Sequence, residues 1–87
     1  NANLEDADLH DVILTDANLS FTNFADADLN DANLSNANLQ GTNLSGADLS
    51  GTNFEGADLT DAQLAGTGGK AHGRCINHTI CATLSAN

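Results

Sequence analysis

Large apolar residues recur at every fifth position of the chain, from residue 4 to residue 64, without a break. Two positions before each of them stands a small or β-branched residue, mostly Ala or Thr. Between the two lies Asn or Asp, except at Ile13 and Gln63. The repeating unit is therefore Ala-(Asp/Asn)-Leu followed by two variable residues. The thirteen large apolar positions are Leu4, Leu9, Leu14, Leu19, Phe24, Leu29, Leu34, Leu39, Leu44, Leu49, Phe54, Leu59 and Leu64.

A period of five residues suits neither an α-helix nor a β-strand. In a helix, successive Leu residues would be rotated by about 140°, and no single apolar face would form. In a strand they would alternate between the two faces. A chain that turns a corner in every repeat points each Leu to a common axis, and four repeats close a square coil. Coils stacked about 4.8 Å apart, with their backbone groups paired, predict an all-β solenoid of just over three coils.

Residues 2–66 resemble the pentapeptide-repeat proteins, which are right-handed quadrilateral β-helices. The resemblance implies that the thirteen Leu and Phe residues line the core and that the Ala and Thr positions form a second inward set. The sequence departs from the pattern at Val12, Ile13 and Phe21. Ile13 and Phe21 occupy outward positions, so they are either contact residues or tolerated exposed residues. We expect a solenoid over residues 1–66 and a non-repeat tail over residues 67–87.

The chain has 12 acidic and two basic residues, a formal net charge of −10, and all the acidic residues lie in the repeats. This charge argues against direct binding to nucleic acids or to anionic membranes, and no apolar run reaches the ~20 residues of a membrane span. Asp8, Asp28 and Asp48 would stack in the predicted coil as an acidic interaction surface. The alternatives are a solvated acidic surface, calcium binding or, as the resemblance implies, DNA mimicry toward a type II topoisomerase.

The repeat stops and the composition changes abruptly at Gly66, and the pair Gly68-Gly69 precedes the last 18 residues. Residues 70–87 contain both basic residues, both Cys, two of the three His and no acidic residue. One interpretation is a structural cap on the solenoid. A second is a disulfide between Cys75 and Cys81, which requires a turn between them and an oxidising compartment. A metal site is disfavoured because the spacing of His72, Cys75, His78 and Cys81 is not that of a standard zinc finger. We predict no cofactor and no metal.

The tail also resembles the core peptide of a ribosomally made, modified peptide of the lanthipeptide kind. In that interpretation residues 1–69 are a leader, cleaved after the Gly68-Gly69 pair, and residues 70–87 are the core. The resemblance implies dehydration of hydroxyl side chains and addition of cysteine thiolates to them. The candidate residues are Thr79, Thr83, Ser85, Cys75 and Cys81. The partner would then be a modifying enzyme.

The repeats show no arrangement of residues for catalysis. The sequence therefore predicts a non-catalytic, rigid and acidic module or scaffold that binds a protein partner, with the peptide precursor as the rival hypothesis. Nothing precedes Asn1 to cap the first coil, so we expect either upstream residues or an end-to-end homodimer. The sequence is equally compatible with a bacterial-type cytoplasm, a periplasm or a lumen.

Overall fold

A computed structural model describes residues 2–67 of the chain. In this range the backbone forms isolated parallel bridges. Residues 2–67 contain neither a helix nor a strand of several residues. Each bridge joins a residue to the one 20 positions later. The bridges form four columns: Asn3–Asn23–Asn43–Gln63, Asp8–Asp28–Asp48, Ile13–Asn33–Asn53 and Asn18–Asn38–Asp58. The predicted four-sided solenoid, with four repeats in each coil, is confirmed.

Coil one comprises residues 2–21, coil two residues 22–41 and coil three residues 42–61, and residues 62–67 begin a fourth coil. The first face contains residues 2–4, 22–24, 42–44 and 62–64, and the second face contains 7–9, 27–29 and 47–49. The third face contains 12–14, 32–34 and 52–54, and the fourth face contains 17–19, 37–39 and 57–59. Two-residue corners follow each face and take its number, so that residues 25–26 belong to the first corner and residues 20–21 to the fourth.

Each corner is a tight turn whose second residue has a positive φ, between 59° and 72°. The N–H group after the corner donates to the carbonyl three residues earlier, as from Ala27 to Phe24 at 3.0 Å. A positive φ at the third residue of a turn is the mark of type II geometry and favours Gly, Asn or Asp. Those three residue types occupy every such position except one. The exception is Phe21, with φ 59°.

Adjacent coils are joined by hydrogen bonds on both sides of each bridge column. The N–H of Leu29 donates to the carbonyl of Asp48 at 2.9 Å, and the N–H of Asp31 donates to that of Ser50 at 2.8 Å. In the other direction, the N–H of Asp28 donates to the carbonyl of Ala7 at 2.9 Å. Stacking therefore satisfies the backbone groups that a coil on its own would leave unpaired.

The Asn or Asp at the centre of each face closes the following turn. Its Oδ1 accepts the N–H of the residue two positions on, at 2.9–3.4 Å in eleven of the thirteen repeats. Short side chains that end in an oxygen are suited to this local bond. Ile13 has no such oxygen, so the corner after it lacks the bond. Asn or Asp therefore recurs in the repeat because its side chain accepts a backbone hydrogen bond in the turn.

The core lies on the coil axis and is complete only in the middle of the solenoid. Leu and Phe side chains from Phe24 to Leu59 are at most 2% exposed, and so are the Ala and Thr residues of the second inward set from Thr22 to Ala57. The hydroxyls of the buried Thr42 and Thr52 donate to the carbonyls of Leu39 and Leu29, at 2.9 and 2.8 Å. The end residues pack against this core but are only partly buried: Leu4, Leu9, Leu14, Leu19 and Leu64.

Two large side chains share the core without competing for space. Phe24 lies on the first face and Phe54 on the third, and both are buried. Because these faces are opposite each other and the residues belong to different coils, the two rings fill different levels of the axis.

Among the described residues, no helix is long and apolar enough to cross a membrane.

Candidate functional site

The acidic residues are concentrated on one side of the solenoid. Eight of the twelve belong to the second face or to the first and second corners, which border it. The remaining four are distributed over the third corner, the fourth face and the fourth corner. We call the group of eight the acidic side: Glu5, Asp6, Asp8, Asp11, Asp26, Asp28, Asp31 and Asp48.

The centre of the acidic side is the column Asp8–Asp28–Asp48, which we call the aspartate ladder. Adjacent members belong to bridged positions, so their backbones lie about 4.8 Å apart. The Oδ1 atoms of Asp28 and Asp48 each accept a backbone N–H, from Asn30 and Ser50 at 3.0 Å. These bonds fix the carboxylates in an outward position, and the bonds from Ser50 lower the pKa of Asp48. The ladder is therefore a preorganised row of negative charge.

His10 is the one imidazole of the described residues, and it lies at the edge of the ladder. Its Nδ1 is 2.5 Å from Oδ1 of Asp8, and both side chains are exposed. The hydrogen bond that the protonated His10 ring donates to Asp8, and then the charges of Asp8, Asp11 and Asp28, raise the pKa of His10. The same bond lowers the pKa of Asp8. The pKa of His10 therefore depends first on Asp8 and then on the other carboxylates nearby.

Asp8, His10 and Asp28 also place three potential metal ligands near one another. One donor atom from each lies within 4.8 Å of the others. Carboxylate and imidazole groups suit divalent metals. The hydrogen bond between His10 and Asp8 accounts for the proximity of that pair, and the coil register accounts for that of Asp8 and Asp28. The fold therefore accounts for the proximity of the three donor atoms without a metal ion.

The two large apolar residues that are exposed among residues 2–67 lie on different sides of the solenoid. Ile13 is 76% exposed and lies at the centre of the third face, whereas Phe21 is 61% exposed and lies at the fourth corner. The fourth face, residues 17–19 in this coil, separates them. The structure therefore does not bring Ile13 and Phe21 together into one apolar patch, and each is a separate feature of the surface.

Sequence reasoning treated the outward Asn and Asp residues as surface chemistry alone and missed their bond to the backbone. The signal was available, because an Asn or Asp two residues before a turn residue is typical of a side chain that closes the turn. The repeat pattern by itself also does not pair His10 with any one acidic residue. The contact of His10 with Asp8 depends on side-chain geometry, and the approach of Asp28 depends on the coil register.

The predictions on the tail concern residues outside the described range. They include the cap, the disulfide, the cleavage after glycine and the modified peptide, and they stay predictions. The residues involved are Gly68, Gly69, Cys75, Thr79, Cys81, Thr83 and Ser85. DNA mimicry and the end-to-end homodimer likewise stay predictions.

Comparisons with known proteins identify the repeat. The family model of pentapeptide repeats matches residues 2–41 and 32–67, with 8 copies. No curated protein matches the chain. A solved pentapeptide repeat protein from the Arabidopsis thaliana thylakoid lumen is 28% identical, with a TM-score of 0.81. The alignment covers 86% of this chain and 54% of that protein, so the chain spans about half the length of this relative.

Two cyanobacterial structures are also similar in sequence. A pentapeptide repeat protein from Cyanothece 51142 is 37% identical over 87% of this chain and 57% of its own length, with a TM-score of 0.48. Another, from Nostoc PCC 7120, is 31% identical over 84% of this chain and 68% of its own length, with a TM-score of 0.45. The fold is that of the family, a right-handed quadrilateral β-helix. The chain belongs to the pentapeptide-repeat family.

Proposed function

We propose that this protein is a non-catalytic interaction module whose acidic side binds a basic region of a protein partner. The observation that carries the proposal is the placement of eight of the twelve acidic residues around the second face. An even spread over the four faces and four corners would place only four or five of the twelve on one face and its two corners. Concentrated charge of one sign steers oppositely charged partners and raises the rate of encounter.

Two properties of the acidic side favour binding over simple solvation. First, residues 2–67 contain no Lys or Arg, so within this range no Lys or Arg side chain neutralises the carboxylates of the acidic side. Among the described residues of this side, the one group that can become a cation is His10, whose pKa is raised first by its hydrogen bond to Asp8 and then by the nearby charges. Second, the ladder carboxylates are held by backbone N–H groups. Because these carboxylates are already held in place, their side chains need little further ordering when a partner binds. This lowers the entropic cost of association.

The decisive experiment removes the ladder charge while keeping its hydrogen bonds. In the triple variant Asp8→Asn, Asp28→Asn, Asp48→Asn, each amide retains an Oδ1 that can accept the same backbone N–H, as Asn33 and Asn38 already do. The variant and the wild-type chain are immobilised, and the proteins captured from an extract of the native host are quantified by mass spectrometry. We expect the capture of basic proteins by the triple variant to fall at least tenfold.

A matched control removes the same number of charges elsewhere. The triple variant Asp16→Asn, Asp58→Asn, Asp61→Asn changes three acidic residues outside the acidic side. We expect it to lose less than half of the capture. Equal losses in the two variants would show that only the overall charge matters, and unchanged capture in both would show that the ladder serves solvation. Either result would overturn the proposal.

A further inference from the structure

The fourth corner of coil one carries a residue that conflicts with its own backbone. Phe21 has a φ of 59°, in the left-handed region. The other seven non-glycine residues with positive φ are all Asp or Asn: Asp6, Asp11, Asp16, Asp26, Asp31, Asn36 and Asp61. Those residue types tolerate this conformation, whereas a bulky aromatic residue is an outlier there. Strained positions of this kind are often associated with function.

Burial does not explain the presence of the aromatic ring. Phe21 remains 61% exposed, while Phe24 and Phe54 are at most 2% exposed. One side of the Phe21 ring rests on Gly41, the residue below it in the fourth corner. A Cβ at Gly41 would lie 2.5 Å from Cε1 of Phe21, so only glycine lets the ring lie against the coil at this point. The ring thus packs against the coil at Gly41 but is not part of the buried core.

The surroundings of Phe21 indicate what can contact it. The first face of coil two, residues 22–24, runs from the fourth corner to the first corner. At its far end lie Asp26 and, one coil above, Glu5 and Asp6 of the acidic side. The outward residues between these ends are small, Asn23 and Ala25, and neither carries a charge. The strip therefore has an aromatic ring at one end and carboxylates at the other.

We infer that Phe21 and Asp26 form the two ends of a docking strip for an arginine-containing basic segment of a protein partner. Charge complementarity selects a cationic segment, because the chain has a net charge of −10 and no Lys or Arg within residues 2–67. A guanidinium group stacks on an aromatic face and also pairs with carboxylates. One arginine lies on the Phe21 ring, and a neighbouring basic side chain pairs with Asp26. This inference rests on the proposed function and identifies the class of partner segment.

The test uses a fluorescein-labelled hexa-arginine peptide and measures its dissociation constant for the full chain by fluorescence anisotropy. Phe21→Asn, Phe21→Leu and Phe21→Trp leave the net charge unchanged, so they isolate the ring. We expect the Asn and Leu variants to bind about fivefold more weakly, which is the scale of a surface cation–π contact. The Trp variant, with the strongest aromatic face, binds at least as tightly as the wild type.

Folding is monitored separately by thermal unfolding. Asn is compatible with the backbone at position 21, because Asn36 is the second residue of the third corner and has the same φ of 59°. We expect Phe21→Asn to melt at a temperature no lower than the wild type, so weaker binding cannot be attributed to unfolding. Ile13→Asn is the matched control, since it removes an apolar side chain of similar exposure from the third face. We expect its dissociation constant to equal that of the wild type within a factor of two.

The outcomes separate this inference from the proposed function. If wild type and Phe21→Asn bind the peptide equally, and the ladder triple variant binds more weakly, the docking strip is wrong and the acidic module stands. If Phe21→Leu binds as tightly as the wild type, the ring acts only as an apolar surface and the role of arginine is wrong. If the wild-type chain does not bind hexa-arginine at all, both the strip and the proposed function are overturned.

Discussion

Coil one and the two coils below it carry the same repeat but differ in how deeply their Leu and Phe side chains are buried. In coils two and three the Leu and Phe side chains are at most 2% exposed, whereas those of coil one are only partly buried. Coil one also contains the departures from the repeat: Val12, Ile13 and Phe21. The middle of the solenoid is therefore governed by packing, and the first coil has the freedom to carry other residues.

The corners show the same contrast in more detail. The first three corners of coil one contain Asp6, Asp11 and Asp16, whereas coil three has Gly46, Gly51 and Gly56 in the same columns. The place that a Cβ would take at each of these glycines is occupied by Oδ1 of the residue above it in coil two: Asp26, Asp31 and Asn36. The glycines thus accommodate the side chains above them. The side chains of coil two thus use the space that the glycine corners of coil three leave open.

Removal of a core side chain should produce the largest difference between the two regions. We expect Leu39→Ala to lower the free energy of unfolding by about 2–5 kcal/mol, because Leu39 is fully buried and its removal leaves a cavity that the surroundings fill only in part. Leu19→Ala, one coil above in the same column, should cost clearly less, because Leu19 is only partly buried. Urea unfolding followed by circular dichroism measures both. Equal costs would show that coil one is as well packed as the middle.

A methyl group at a corner glycine tests the steric explanation. We expect Gly51→Ala to cost about 1–2 kcal/mol for the left-handed conformation, with φ 70°, and a smaller amount for displacing the Asp31 carboxylate. The double variant Asp31→Gly, Gly51→Ala removes the clash but retains the conformational cost. Comparison of the two single variants with the double variant by urea unfolding isolates the coupling. Strict additivity would contradict the proposed contact between these residues.

Restoration of the missing turn bond should bring coil one closer to the middle. We expect Ile13→Asn to raise the free energy of unfolding by about 0.5–1.5 kcal/mol, since the new Oδ1 accepts the N–H of Thr15 as Asn33 does for Ser35. Asn33→Ile is the reverse change in coil two and should destabilise the chain. A decrease in stability on Ile13→Asn, measured by thermal unfolding, would show that the isoleucine side chain contributes packing that its exposure does not reveal.

Titration of His10 should give the smallest effect and the most local one. NMR titration should place its pKa above the ordinary value of 6.5, because of the bond to Asp8 and the charges nearby. Since the folded-state pKa is raised, the stabilisation from this bond is fully present below the unfolded pKa and is lost as pH rises through the folded pKa. In Asp8→Asn the pKa should move back toward 6.5. A value unchanged by that substitution would contradict the pairing.

Much of the fold follows from the sequence because a period of five leaves few alternatives. Neither a helix nor a strand can bury thirteen evenly spaced residues at that period, so the chain must turn in every repeat. The large apolar residues therefore mark the axis. The candidate site was less accessible: the composition of the aspartate ladder was visible, but the bond from each carboxylate to the backbone, and the pairing of His10 with Asp8, depend on side-chain geometry.

The sequence by itself determined the family, the four-sided coil and the residues that face inward, because the repeat is a local pattern that burial makes obligatory. The tertiary structure decided which outward residues meet. Register at 20 residues per coil brings Phe21 onto Gly41 and Asp31 onto Gly51. It also gathers eight carboxylates on one side and separates Ile13 from Phe21. Those relations arise from contacts between coils, and the sequence within any one repeat does not contain them.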